Sequence, residues 1–195
     1  MPKRTRWPLV LWLAAAVLGI FSGCGEEETI RVDLLPPGNA RGAAATGLYA
    51  WAEKVTSTDC PESVTVGTAM VKLPRDDDDY RACADVVQDE GYYGMDLTDW
   101  TGGTAGVVHE EFLADGGLWR EGQFRIGGVF EFGAGVVARA LIDGQYLPPS
   151  GTEVVNSFEG VALVQIFTRE AGAPERYRCQ YEVSFNAHRE AGCGD

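Results

Sequence analysis

The C-terminal segment 176–186 is the stretch that most constrains the fold, because its apolar and polar side chains alternate without exception. The apolar positions are Tyr177, Cys179, Tyr181, Val183 and Phe185, and every position between them is polar or charged. Successive side chains of a β-strand point to opposite faces, so this pattern predicts a strand with one buried and one solvated face. Half-buried strands of this kind are typical of antiparallel sheets.

Shorter patterns predict seven further strands, at residues 48–55, 63–73, 80–89, 106–113, 118–132, 136–143 and 158–168. Residues 115–117 (Asp-Gly-Gly) are predicted to form a hairpin turn, and residues 90–105 a long connection rich in glycine and aromatic residues. The 25 glycines of the chain, together with many Val, Thr and aromatic residues, favour strands and turns over helices. The predicted fold class is therefore all-β.

About eight strands joined mostly by short loops favour an antiparallel meander. A meander of this size closes into a small barrel, which leaves no free edge strand. The alternative is a β-sandwich, whose crossover connections would have to come from segments 90–105 and 144–157.

The N-terminal residues 1–23 have the three parts of a secretory signal peptide. Lys3, Arg4 and Arg6 make a basic start, residues 9–20 form an uninterrupted apolar run, and small residues stand before a cleavage site. The uncharged stretch 7–21 is shorter than the ~20 residues that span a bilayer core, which disfavours a transmembrane helix.

The residues Phe21-Ser22-Gly23-Cys24 end this segment. They resemble the lipobox of bacterial lipoproteins, in which two small residues precede a cysteine that becomes the lipidated N-terminus. Phe21 departs from the Leu that is usual in that family. The resemblance implies a thioether-linked diacylglyceryl group and an amide-linked acyl chain on Cys24, which together suffice for a stable membrane anchor. Gly25 implies the outer membrane rather than the inner one, and an ordinary secreted protein is the alternative.

The chain that remains after residues 1–23 is strongly acidic. The formal net charge of −13 for the whole chain becomes −16 when Lys3, Arg4 and Arg6 are removed. Such a surface repels nucleic acid and anionic lipid headgroups, so neither is predicted as a partner. Residues 24–45, rich in Pro, Gly and Ala, are predicted to be a flexible tether, and residues 46–195 a single disulfide-bonded β domain.

Four cysteines follow Cys24 in the sequence: Cys60, Cys83, Cys179 and Cys193. An even number in an exported chain predicts two disulfides, and no close Cys pair of the zinc-binding kind is present. If residues 74–79 close a hairpin, Cys83 lies opposite Met70 and more than ~30 Å along the strands from Cys60. This disfavours a bond between Cys60 and Cys83 and pairs Cys60 with Cys179 or Cys193.

Four aromatic residues near predicted loops are the candidate binding residues: Tyr92, Tyr93, Trp100 and Trp119. Exposed aromatic side chains on a β scaffold can stack on sugars or line a pocket mouth, and the alternative is that they cover the core. The predicted function is a non-enzymatic interaction or glycan-binding role, with an unknown envelope protein or glycan as partner. The alternative is a small apolar ligand in the barrel mouth, held by the inward side chains of Phe124, Phe130, Phe132, Tyr181 and Phe185.

The remaining candidates for chemistry are an acidic run and two histidines. Asp76, Asp77, Asp78 and Asp79 supply the carboxylates that Ca²⁺ binds, but the alternate spacing of a calcium loop is missing, and a solvated hairpin tip explains them as well. His109 could form a dyad only with Glu111, since Glu110 points to the opposite face of a strand, and His188 is predicted to lie on the surface. With no Gly-x-Ser-x-Gly motif and the four cysteines paired, neither an enzyme nor a cofactor is predicted, and a hydrolase is the disfavoured alternative.

Overall fold

The computed structural model describes residues 29–33, 35–103, 111–147 and 154–192. Within these ranges the chain forms β-strands and no helix. The strands are β1 (Gly47–Thr58), β2 (Ser63–Val66), β3 (Ala69–Lys72), β4 (Asp79–Asp89), β5 (Tyr92–Gly102), β6 (Glu111–Leu118), β7 (Gln123–Gly133), β8 (Val136–Tyr146), β9 (Ser157–Thr168) and β10 (Arg176–Arg189). The all-β prediction is confirmed.

Eight of these strands form a closed antiparallel barrel in the order β1-β10-β9-β8-β7-β6-β5-β4. The barrel closes at β1, which pairs with β10 on one side and with β4 on the other. Closure gives every barrel strand two neighbours and removes the exposed edges that would otherwise pair with other chains. The predicted barrel is thus confirmed, and the sandwich alternative is wrong.

The predicted number of barrel strands is correct because two local errors compensate. Residues 63–73 were expected to be one barrel strand, but they form a separate two-stranded hairpin of β2 and β3. Gly67 makes its turn with φ at +59°, a backbone conformation that glycine adopts without steric cost. Residues 90–105 were expected to be a connection, yet β5 supplies the missing barrel strand.

Residues 115–117 were also expected to form a turn, but they lie inside β6. Their glycines serve close backbone packing instead. A Cβ atom on Gly116 would overlap the Arg125 carbonyl of β7, and one on Gly117 would lie 2.5 Å from the backbone nitrogen of Gly38. The turn comes later, at residues 119–122, where the Trp119 carbonyl accepts a hydrogen bond from Gly122 N–H at 2.9 Å. Of the strand predicted at 106–113, residues 106–110 lie outside the described residues.

Large aromatic side chains fill one half of the barrel interior. Ring centroids lie 4.9 Å apart for Tyr49 and Phe158, 4.9 Å for Tyr93 and Phe124, and 4.1 Å for Trp51 and Phe185. Buried aromatic pairs at these distances contribute packing energy beyond the area that they bury. This half of the barrel is a packed core rather than a pocket.

Residues 38–45, which composition assigns to a flexible tether, are packed against the barrel. Gly38 N–H donates to the Gly91 carbonyl at 2.9 Å, and Ala40 N–H donates to the Leu118 carbonyl at 3.0 Å. The buried Gln88 side chain accepts a hydrogen bond from Ala45 N–H at 3.0 Å. The folded unit therefore includes residues that precede position 46.

The disulfide between Cys60 and Cys179 joins the segment after β1 to β10, with 4.9 Å between the Cα atoms. It is one of the two pairings predicted for Cys60. The hairpin at 74–79 from which the prediction started is wrong, since β1 pairs directly with β4 and places Ala50, not Met70, opposite Cys83. In contrast, Thr58 lies opposite Tyr181, which brings Cys60 next to Cys179. Cys83 is disulfide-bonded as well, and the predictions for Cys24 and Cys193 fall outside the described residues.

Candidate functional site

The structure does not bring the four candidate aromatic residues together. Tyr92, Tyr93 and Trp100 belong to strand β5 rather than to a loop. Tyr92 is 45 % exposed on the outer face, whereas Tyr93 is fully buried in the interior core. Trp100 lines the interior at the other end of the barrel, where its indole N–H donates to the Leu97 carbonyl at 3.2 Å. Trp119 borders a surface groove of about 710 Å³, and Tyr92 borders a different one of about 610 Å³.

The groove at Trp119, here called the outer groove, has a volume of about 710 Å³ and runs over the outer face of β7, β8 and β9. Trp119 and residues 35–36 form its walls. Its floor consists of outward side chains that the strand register aligns in two rows, Gln123-Gln145-Glu159 and Arg125-Asp143-Val161. Strands β7, β8 and β9 therefore place a row of polar side chains, Gln123, Gln145 and Glu159, in the same groove as the Trp119 side chain.

Local hydrogen bonds hold these groups in place. The Trp119 backbone N–H donates to the Gln123 carbonyl at 2.8 Å, which ties the backbone at Trp119 to the start of β7. The Gln145 amide donates to the Glu121 carbonyl at 2.9 Å. The Arg125 guanidinium makes two hydrogen bonds to the Asp143 carboxylate, at 2.6 and 2.9 Å, a bidentate geometry that orients both side chains.

The outer groove carries three carboxylates, those of Glu121, Asp143 and Glu159, and one guanidinium, that of Arg125. It therefore disfavours anionic ligands. Its amides and carboxylates offer both donors and acceptors. The described residues that line it include no Ser, Cys or His, so its hydrogen-bonding groups are carboxylates, amides and one guanidinium.

The acidic run 76–79 does not form a convergent set of ligands. Asp77 makes an ion pair with Lys54 at 2.8 Å. Asp78 is buried and accepts a hydrogen bond from Arg75 N–H at 2.9 Å, which stabilises the turn that precedes β4. Among the described residues, the one group of three candidate metal ligands is Asp59 with Cys60 and Cys179, and these two sulfur atoms are bonded to each other. The calcium hypothesis therefore has no geometric support in this part of the chain.

The predicted histidine dyad cannot be placed, because His109 and the Glu111 side chain fall outside the described residues. His188 is exposed near the end of β10, as predicted from sequence.

In the part of the chain that the structure describes, no helix is long and apolar enough to cross a membrane.

A second polar feature, inside the barrel, was missed by the sequence analysis. A cavity of about 30 Å³ lies inside the barrel next to the aromatic core, and Glu53 is the one charged residue that lines it. The Trp51 indole N–H donates to Glu53 Oε2 at 2.8 Å. Burial raises the pKa of Glu53 to about 7, and the Trp51 hydrogen bond opposes this effect in part. The signal was present in the sequence, because Glu53 occupies an inward position in the alternating series Tyr49, Trp51, Glu53, Val55.

Replacing Glu53 with Gln is expected to change how stability depends on pH. Between pH 4.5 and about 7 the folded wild type keeps a proton on Glu53 that the unfolded chain has lost, so stability falls as the pH rises through this window. The E53Q variant lacks this loss and should be more stable than wild type at pH 8, by at most roughly 3 kcal/mol, with little difference at pH 4. Urea unfolding of both proteins at pH 4, 6 and 8 measures the difference, with exposed Glu170→Gln as the matched control. Equal pH profiles for E53Q and wild type would contradict a raised pKa.

Comparisons with known proteins identify no relative of this chain, so the evidence on its function comes from the fold and from these two sites. No protein-family model matches the chain, and neither the curated proteins nor the solved structures give a significant match.

Proposed function

We propose that this chain is a non-enzymatic lipoprotein of the bacterial cell envelope and that its β-barrel binds a neutral glycan in the outer groove. The observation that carries the proposal is the half-buried Trp119 indole beside a row of amide and carboxylate groups from β7, β8 and β9. An aromatic ring packs against the apolar C–H face of a sugar. The polar row supplies the donors and acceptors that sugar hydroxyls require.

The size and the charge of the groove support the same ligand class. Its volume of about 710 Å³ falls in the range of ~300–1,000 Å³ that is usual for small-ligand sites. Its excess of carboxylates favours neutral over anionic polysaccharides. The apolar-ligand alternative has less support, because the interior cavity measures only about 30 Å³ and Phe124 and Phe185 are buried in the core.

The anchor predicted at Cys24 would keep the groove near the membrane. Leu35 and Pro36 line the groove, and they follow the proposed lipidated cysteine by eleven and twelve positions. At ~3.4 Å per fully extended residue, the groove lies within ~40 Å of the lipid anchor. A glycan bound there would belong to the envelope layer next to that membrane.

The proposal is tested by co-sedimentation of the full chain, exported with its cysteines oxidised, with peptidoglycan and with an insoluble neutral polysaccharide. We expect the wild type to sediment with at least one of these materials. Trp119→Ala should weaken binding to that material about tenfold, because it removes the stacking surface. Tyr92→Ala is the matched control, since it removes an exposed aromatic ring outside the outer groove and should bind like wild type. Failure of wild type to bind either material, or equal losses in both variants, would refute the proposed function.

A further inference from the structure

The interior cavity at Glu53 is a second site, independent of the outer groove. Its walls come from strands around the barrel. Beside Glu53 and six aliphatic residues, five aromatic residues line it: Trp51, Trp100, Phe112, Phe130 and Tyr181. The rings hold one another in place, with centroid distances of 4.8 Å between Phe112 and Phe130 and 4.1 Å between Trp51 and Phe185. Two of the lining rings, those of Phe112 and Phe130, thus pack directly on each other.

Glu53 has no cationic partner among the described residues. The ion pairs in this part of the chain all involve other carboxylates, and Glu53 receives one neutral hydrogen bond, from Trp51 N–H. Residue 53 is half-buried overall, and its carboxyl group is desolvated enough to raise its pKa to about 7. A carboxylate in such surroundings is costly to bury unless a cation or further donors approach it.

The shape and the chemistry of the walls restrict what can serve as that cation. Both indole N–H groups already donate a hydrogen bond, that of Trp51 to Glu53 and that of Trp100 to the Leu97 carbonyl. Aromatic rings attract organic cations through their π faces, and a carboxylate binds an ammonium group by charge-assisted hydrogen bonds. A hard metal ion requires about six oxygen ligands, whereas the lining offers the Glu53 carboxylate and the Tyr181 hydroxyl.

We propose that Glu53 and the aromatic side chains around it bind a primary ammonium group in the cavity inside the barrel. A cavity of about 30 Å³ has room for roughly two water-sized groups, which matches the –CH₂–NH₃⁺ end of an alkylamine. The group is either a whole small molecule, such as methylammonium, or the end of a longer amine whose chain extends out of the cavity.

The state of Glu53 controls this binding. Burial keeps its pKa near 7, so the carboxylate is mostly ionised at pH 8 and mostly protonated at pH 5. The other titratable groups facing it are Tyr181 on β10 and Tyr80 on β4, since Glu53 lies opposite Tyr80 in the β1–β4 register. Burial raises the pKa of Tyr181 well above its ordinary value of about 10, so Tyr181 is neutral at pH 5 and at pH 8. Ammonium binding should thus follow the ionisation of Glu53 and weaken roughly 100-fold from pH 8 to pH 5.

Calorimetric titration of the full oxidised chain with methylammonium and with n-butylammonium at pH 8 tests the proposal and separates the two sources. Saturable binding of methylammonium alone indicates a free small amine, and tighter binding of butylammonium indicates the end of a longer chain. In either case Glu53→Gln should weaken binding at least tenfold, whereas Glu170→Gln, an exposed carboxylate change, should leave it unaltered. Glutamine keeps the side-chain oxygen that accepts the Trp51 hydrogen bond, so E53Q is expected to fold, and near-ultraviolet circular dichroism checks this.

The wild type alone provides an independent measurement, because its affinity at pH 5 and at pH 8 requires no variant. The proposal is overturned if wild type binds neither amine at pH 8, if E53Q binds as well as wild type, or if the affinity is the same at both pH values. None of these outcomes bears on the outer groove, whose ligand and residues are different.

Discussion

We expect the double replacement of Cys60 and Cys179 by serine to lower the free energy of unfolding by about 4 kcal/mol. The bond joins residues 119 positions apart, and cross-linking a chain over so long a loop removes much of the conformational entropy of the unfolded state; loop-closure estimates for ~100 residues are 4–5 kcal/mol. The bond also joins the segment after β1 to β10, next to the seam where these two strands close the barrel. Guanidinium unfolding of the oxidised proteins measures the effect.

Two comparisons separate the cross-link from local chemistry at this site. The alanine double variant removes the bond without introducing a hydroxyl beside the Gln180 carbonyl, which lies 3.6 Å from Cys60 Sγ. If the loss comes from the missing cross-link, serine and alanine variants lose similar amounts. A loss below about 1 kcal/mol in both would show that the closed strand pairing already restricts the chain as strongly as the disulfide does.

We expect Arg189→Ala to lower the free energy of unfolding by about 3 kcal/mol. The Arg189 guanidinium donates hydrogen bonds to the carbonyls of Val155, Thr46 and Ala44 at 2.7, 2.8 and 3.1 Å, and to the Tyr49 hydroxyl at 2.8 Å. It also lies 4.9 Å from the centre of the Tyr49 ring. Removing it leaves several partly buried oxygens without this donor, and hydrogen bonds to a charged group contribute ~1.5–3 kcal/mol each.

The destabilisation caused by Arg189→Ala should be concentrated where residues 44–46 pack against the barrel. Amide hydrogen exchange at Ala45 and Thr46 should accelerate in Arg189→Ala, since Arg189 holds the carbonyls of this segment. Exposed Arg176 on the same strand is the matched control, and Arg176→Ala should leave both stability and exchange close to wild type. Arg189→Lys should recover only part of the loss, because an ammonium cannot reproduce the planar fork of a guanidinium. Unchanged exchange at residues 45–46 in Arg189→Ala would show that Gln88 suffices to hold the segment.

The class of the fold follows from a local property of the chain. Period-two alternation in β10, and in the shorter stretches that became β4 and β9, requires only the geometry of a single strand. The same local pattern did not predict that β5 is a strand of the barrel. Its glycines and aromatic residues are typical of a connection, and it becomes a strand because hydrogen bonds with β4 and β6 satisfy its backbone. The Asp115–Gly117 stretch is the same case, since its glycines accommodate neighbouring backbone rather than a turn.

The candidate sites likewise have parts that the sequence indicated and parts that only the tertiary structure showed. Trp119 was identified from sequence as one of four exposed aromatic candidates, but nothing local distinguished it from Tyr93, which is a core residue. Its polar neighbours belong to three strands, and only the register of β7, β8 and β9 aligns Gln123, Gln145 and Glu159 in one row. Glu53 shows the converse: its inward phase was visible in the alternation of β1, yet its meaning depends on what the opposite strands enclose.

By itself the sequence determined an all-β chain and the inward and outward faces of its clearest strands. These properties depend on the period of side chains along one strand. Tertiary structure alone decided which eight strands close the barrel, that residues 38–45 belong to the folded unit, and which side chains meet in the outer groove and around Glu53. Those outcomes depend on hydrogen bonds and contacts between segments far apart in sequence, whose free energies no local pattern contains.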